Sequence, residues 1–225
     1  MNQVILILGG TKEAAELAEK LVAELPNVRV ISSLAGRTKE PSPLAGEVRI
    51  GGFGGPDGLA RFLIQNKVTR FIDATHPFAK TISANAKIAA QTTGMDLEVR
   101  TRQPWQKQVG DLWSEVKSLE EARDKIPAGA RVLLALGSQY IDIFQTVDHA
   151  HFIVRMVDEP PTPLPLPHHT MIIGKPGNID EETALLKQFS ITHILCRNSG
   201  GQGAYAKIEA ARALKIPVII VGQSV

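Results

Sequence analysis

The stretch "DATHPFAKTISANA", Asp73 to Ala86, sets an acid and a histidine beside a proline where an apolar run gives way to polar residues. Two chemistries fit this spacing. Thr75 or His76 as N-cap, with Pro77 as the first helical residue, would open a helix and do nothing more. Alternatively, His76 faces a ligand, where an imidazole donates to an anion or a carbonyl, or passes a proton. Helix-start chemistry accounts for Thr75 and Pro77 and partly for Asp73. It does not account for His76, the candidate proton donor or substrate orienter.

Gly-rich turns supply the second kind of chemistry. In "LILGGTKEA", Gly9, Gly10 and Thr11 follow an apolar run and precede a helical pattern. Such a turn brings backbone close to a ligand and aims unpaired helix N–H groups at it, which suits a pyrophosphate. The spacing departs from G-x-G-x-x-G, so a plain tight turn is the other reading. The next strand ends "VISSLAGRTK", with Ser32, Ser33 and then Arg37 and Lys39, and no acid before Glu40. An acid there would take ribose hydroxyls, whereas an arginine accommodates a 2′-phosphate, so the phosphorylated dinucleotide is favoured. "RIGGFGGPDGL" sets four glycines around Phe53 before Pro56 at a helix start, and Gly52 and Phe53 are candidates to lie against a flat ligand. Near the C-terminus "HILCRNSGGQGAYAK" repeats the device. Arg197 and the Gly200–Gly201 backbone could hold an anion there, with Asn198, Ser199 and Lys207 nearby. Cys196 in its apolar run reads as a small buried hydrophobe. No metal-ligand spacing, serine elbow or P-loop lysine is present.

These residues need elements to carry them. "QVILIL", "VRVISS", "EVRI", "VTRFIDA" and "DLEVR" read as strands, with helices at "KEAAELAEKLVAEL", "PDGLARFLIQN" and "PFAKTISANAKIAAQTT", the last closed by Gly94. Strands alternating with helices predict a parallel, doubly wound sheet. The regularity lapses through "QPWQKQVGDLWSEV", which reads as a domain crossing. A capping box, Ser118 with Glu121, then opens a short helix. "RVLLAL", "HFIVRM", "MIIG", "THILC" and "PVIIV" read as further strands, with a helix at "GAYAKIEAARALK" and a proline-rich connection at "DEPPTPLPLPHH". The expected fold is α/β, two doubly wound Rossmann-like parallel-sheet domains, residues 1–103 and 104–225, with a cleft between them.

Composition limits the class. The 225 residues are 44% hydrophobic and 21% charged, as in soluble globular proteins. A net charge of +2 is too small to argue for nucleic acid. The single cysteine excludes an internal disulfide framework and fits a reducing compartment. With neither a signal pattern nor an apolar run of about 20 residues, the expectation is a cytoplasmic chain without a membrane span.

Taken together, "ILILGGTKEAAELAEKL", "SLAGRT", "GGFGG", "DATHPFAKTISANA", "RMVDEP" and "RNSGGQGAYAKIEAARALKIPVIIV" closely resemble the precorrin-6A reductases of cobalamin biosynthesis, in that family's order. The resemblance implies a two-domain enzyme that uses NADPH, or NADH as the alternative, to reduce one double bond of precorrin-6A or cobalt-precorrin-6A to the 6B form. It implies a polycarboxylate tetrapyrrole substrate, with no nucleic acid or membrane partner, and a monomer or small homo-oligomer. Carried over, Gly9, Gly10 and Thr11 resemble the cofactor turn, and Ser33, Leu34, Ala35, Gly36, Arg37 and Thr38 the adenosine-side segment. Asp73, His76, Pro77 and Phe78 match the mid-chain motif, and Asn198, Ser199, Gly200, Gly201 and Lys207 the C-terminal one. Arg197 stands where the family usually has lysine, which keeps the charge and changes the geometry. A methyltransferase of the same pathway or a non-catalytic nucleotide-binding module would share the fold. The basic segment after the second strand argues against the first, and a second equipped domain against the other.

Overall fold

A computed structural model describes residues 3–36 and 43–223. The chain divides into two units, Met1–Arg102 and Gln103–Val225, each with its own sheet.

In the first unit, β1 (Val4–Leu8) is buried at every residue, as its unbroken apolar run requires. Side chains alternate between faces, so Leu6 and Leu8 join Ile31 and Phe71 in one core while Ile5 and Ile7 join Val30 and Ile72 in another. The second core is covered by α1 (Lys12–Glu24), which buries Ala14, Ala18 and Leu21. The first lies under α2 (Gly55–Gln65) and α3 (Lys80–Thr93). Together with β2 (Arg29–Leu34), β3 (Glu47–Ile50), β4 (Arg70–Asp73) and β5 (Leu97–Val99), β1 forms an all-parallel sheet of order β3-β2-β1-β4-β5. The register aligns Arg49, Ser33, Leu8, Asp73 and Val99 across the sheet. Every turn that follows these residues therefore emerges at one edge.

Two helix starts differ from the sequence expectation. Pro56 is the second residue of α2 rather than its first. More important, α3 begins at Lys80 with Ala79 as its cap, so Thr75, His76 and Pro77 lie outside the helix. Thr75 is engaged instead by Asp73, whose Oδ1 accepts from its backbone N–H at 3.1 Å and its hydroxyl at 2.7 Å. Pro77 then sits inside a turn closed by Ala79 N–H donating to His76 O at 2.7 Å. The predicted Gly94 terminus holds, with φ +67°.

The second unit is also all parallel, in the order β6-β11-β10-β7-β8-β9. Its strands are β6 (Trp113–Val116), β7 (Arg131–Ala135), β8 (His151–Met156), β9 (His169–Ile173), β10 (His193–Arg197) and β11 (Val218–Val221). Its helices are α4 (Leu119–Asp124), α5 (Ile179–Gln188) and α6 (Ala206–Leu214), with a 3₁₀ turn at Ser138–Phe144. The stretch read as irregular contains β6, an edge strand paired with β11 from Val218↔Trp113 to Val221↔Val116. The helix α5 was absent from the sequence reading, although Asn178 and Glu181 form a complete capping box before it. At α4, Ser118 Oγ accepts from Glu121 N–H as expected, but the Glu121 carboxylate reaches back to Lys117 N–H.

Candidate active site

In doubly wound sheets ligands bind beyond the carboxyl ends of the strands, where the strand order reverses. In the first unit that point lies between β1 and β4. The turn Gly9–Thr11 leaves β1 there, and Gly9 N–H donates across to Ser33 O at 3.0 Å. Gly10 is exposed at φ +100°, a conformation that L side chains rarely adopt, and a Cβ there would meet no atom within 4 Å. Backbone at this turn is therefore open to a ligand. Thr11 caps α1 through Ala14 N–H at 3.1 Å, and its hydroxyl donates to Ala74 O at 3.1 Å, tying the β1 turn to the end of β4.

The remaining turns of this edge flank that point. Ser33 is buried at the end of β2, followed by half-buried Leu34 and exposed Ala35 and Gly36. The Ser32 hydroxyl is buried with no hydrogen-bond partner among the described residues. Arg37 and Thr38 lie outside those residues. After β3, Gly52 is exposed and Phe53 packs edge-on against Phe62 at 5.2 Å. A Cβ on Gly58 would overlap the Phe53 backbone carbonyl, so only glycine lets α2 start this close to the turn. On the other side, Asp73 is buried and His76, Pro77 and Phe78 are half-buried. His76 Nδ1 accepts from Phe78 N–H at 3.3 Å, which puts the proton of the neutral ring on Nε2. The mid-chain motif is thus a loop built by its own side chains, not a helix start.

In the second unit the order reverses between β7 and β10. The turn after β10 is held by side chains. Buried Asn198 accepts from Trp105 N–H at 2.7 Å through Oδ1 and donates to Trp105 O at 2.9 Å through Nδ2. Trp105 Nε1–H donates to Gly201 O at 2.7 Å. Beneath it the Lys207 ammonium, only 4% exposed, donates to Ala204 O at 2.6 Å and lies 5.0 Å from the Trp105 ring centroid. Burial pushes its pKa below the usual lysine value. Gly200 is buried; Ser199 is half-buried, and its hydroxyl donates to Arg197 O at 3.2 Å. The Arg197 guanidinium stacks 4.4 Å from the Tyr140 ring centroid, across the reversal. Cys196 is fully buried, and burial raises its pKa, as befits an inert thiol.

The geometry thus gathers Gly9–Thr11, Ser33–Gly36, Gly52–Phe53 and Asp73–Phe78 at one sheet edge, and Arg197–Gly201 at the other. Other cations near these strand ends are already engaged. Arg100 pairs with Glu98, Arg102 with Glu13 and Arg155 with Glu182, so these three have internal partners. Sequence reasoning missed the Gly137–Ser138 turn after β7, which borders the reversal in the second sheet. The signal was "LLALGS", an apolar strand running straight into Gly.

Comparison with known proteins decides the lineage of this arrangement. The family described as precorrin-6x reductase CbiJ/CobK matches residues 4–224. The chain belongs to the precorrin-6x reductase family. Precorrin-6A reductase of Rhodobacter capsulatus is 43% identical over 219 residues, 96% of this chain and 86% of that protein. The precorrin-6A reductase of Rhodococcus erythropolis is 42% identical over 219 residues, 96% and 88% of the two chains. The cobalt-precorrin-6A reductase of Priestia megaterium is 28% identical over 233 residues, 98% of this chain and 90% of that one. A solved structure described as CobK precorrin-6A reductase superposes with a TM-score of 0.94 at 42% identity, covering 99% of this chain and 89% of that one. Membership in the precorrin-6x reductase family makes this an oxidoreductase with a Rossmann-like fold. Among the described residues, no helix is long and apolar enough to cross a membrane.

Proposed function

We propose that the chain reduces precorrin-6A to its 6B form with NADPH. What carries the reading is the run of open backbone and strand ends from Gly51 to Asp73 along one parallel edge, in a chain 43% identical to a precorrin-6A reductase. Half-buried Gly9, exposed Gly10 and the start of α1 fit a pyrophosphate. Ser33–Thr38 receive the adenosine ribose, where Arg37 supplies one cation on the side of a 2′-phosphate. Gly52 and Phe53 line the same side. Bound there, the reduced nicotinamide supplies a hydride.

The protein's part is orientation and electrostatics. Holding the reactants in contact geometry is worth roughly 7–11 kcal/mol of barrier. Arg197 and the Ser199–Gly201 backbone take substrate carboxylates, while Asn198 and Lys207 fix that turn from below. Asp73 fixes Thr75, and Phe78 N–H orients His76 through Nδ1, so that Nε2 carries the proton the ring would receive. The metal-free ring is the preferred substrate, because relatives named for it are 38–44% identical and those named for the cobalt-bearing ring 25–29%.

The test uses purified protein with NADPH and either the metal-free or the cobalt-bearing ring, following loss of reduced-nicotinamide absorbance. Turnover is expected with the metal-free ring. A folded protein that oxidises NADPH with neither substrate overturns the reading. A His76→Ala enzyme with near-normal turnover would return that residue to a purely structural role.

A further inference from the structure

In the first unit, Arg29, Arg70, Arg100 and Arg102 each have a carboxylate partner. Arg49, near the end of β3, has none among the described residues. Its guanidinium lies 3.8 Å from the Phe53 ring centroid and 5.4 Å from that of Phe62. Nη1 donates to Gly51 O at 2.6 Å and Nη2 to Gly52 O at 2.7 Å. Two carbonyls orient a guanidinium without neutralising it, and they engage two of its five N–H groups. Burial pulls its pKa below the usual arginine value, as expected of a partly desolvated cation without an ionic partner.

The surroundings point outward. Register pairs Arg49 with Ser33, beside the strand end where a dinucleotide's ribose lies. A Cβ on either Gly51 or Gly52 would meet no atom within 4 Å, so the turn that Arg49 clamps presents bare backbone to open space. An aromatic face and two carbonyls fix the plane of the fork, which lowers the entropy lost when a phosphate docks on its other N–H groups.

We infer that Arg49 is a specificity-determining residue of the nucleotide site, its Phe53-backed guanidinium receiving the 2′-phosphate that separates NADPH from NADH. The inference rests on the nucleotide reading of the first unit given above.

Dissociation constants for NADPH and NADH, read from nicotinamide fluorescence on the full chain, test it. Arg49→Ala should raise the NADPH constant about 10- to 100-fold, the range for losing a charge-assisted hydrogen bond, and NADH by less than about threefold. Arg49→Lys keeps the charge without the fork and should fall between, which also serves if the alanine variant does not fold. Adenosine 2′,5′-bisphosphate should compete with NADPH on the native protein and lose potency on Arg49→Lys, while 5′-AMP is unaffected. Equal weakening of NADPH and NADH would make Arg49 only a clamp for the turn and overturn the inference, as would no change in either. Binding of neither nucleotide to the native chain would overturn the nucleotide reading itself, a distinct result.

Discussion

The two carboxyl edges solve the problem of placing polar groups at strand ends in opposite ways. In the first unit the turns present backbone: Gly10, Gly51 and Gly52 have open space where a side chain would stand. In the second unit buried side chains close the turn: Asn198 bonds the Trp105 backbone, Trp105 the Gly201 carbonyl and Lys207 the Ala204 carbonyl. A pyrophosphate needs N–H groups and close approach, which bare backbone gives. A turn that is to offer an arginine to carboxylates, as proposed for Arg197, needs a fixed foundation, because a mobile cation loses entropy on binding.

The sharpest way to break this comparison is Trp105→Ala. It removes a buried ring from between Asn198, Gly201 and Lys207, and should cost about 3–5 kcal/mol in denaturant unfolding. It should also raise the substrate KM while leaving NADPH affinity intact; an equal loss on both would show that the edges do not divide the work. Next in size is the buried Arg155–Glu182 pair, with side chains 8% and 1% exposed. Glu182→Ala should destabilise by about 3–5 kcal/mol through the stranded guanidinium. The same change at exposed Glu47, paired with Arg29, should cost about 0.2–1 kcal/mol.

Thr11→Ala sharpens the other side. Losing the α1 cap and the bond to Ala74 O should cost about 1 kcal/mol and weaken nucleotide binding, with the substrate KM unmoved. The smallest effect is a pH dependence confined to the second unit. Burial, then the neighbouring charges of Arg131, His168 and His169, hold the His151 pKa below 6.5. Folding therefore favours neutral His151, so its contribution is intact above pH 6.5 and is lost as pH falls through the depressed folded value. His151→Asn should flatten the acid limb of the stability curve measured by thermal unfolding.

Much of the fold was legible because buried parallel strands leave continuous apolar runs, as in "VILIL" and "VIIV". What escaped were elements with weaker patterns. β6 is an edge strand of mixed polarity, and α5 follows a loop of Lys, Pro and Gly that masks its capping box. At the site, glycine turns and the histidine were readable by type. The helix start was not: Pro77 at N1 is a sound local expectation, but the Asp73 carboxylate captures Thr75 and moves the helix on to Lys80.

By itself, the sequence determined the alternation of strands and helices, the Gly-rich turns after the strands and the motifs of the family, because periodicity and residue type are local properties. Tertiary structure alone decided that Arg49 stands beside Ser33, that Trp105 holds Asn198, and which arginines already have partners. Those contacts join residues up to 93 positions apart through strand register and packing, which residue type and periodicity within one segment do not fix.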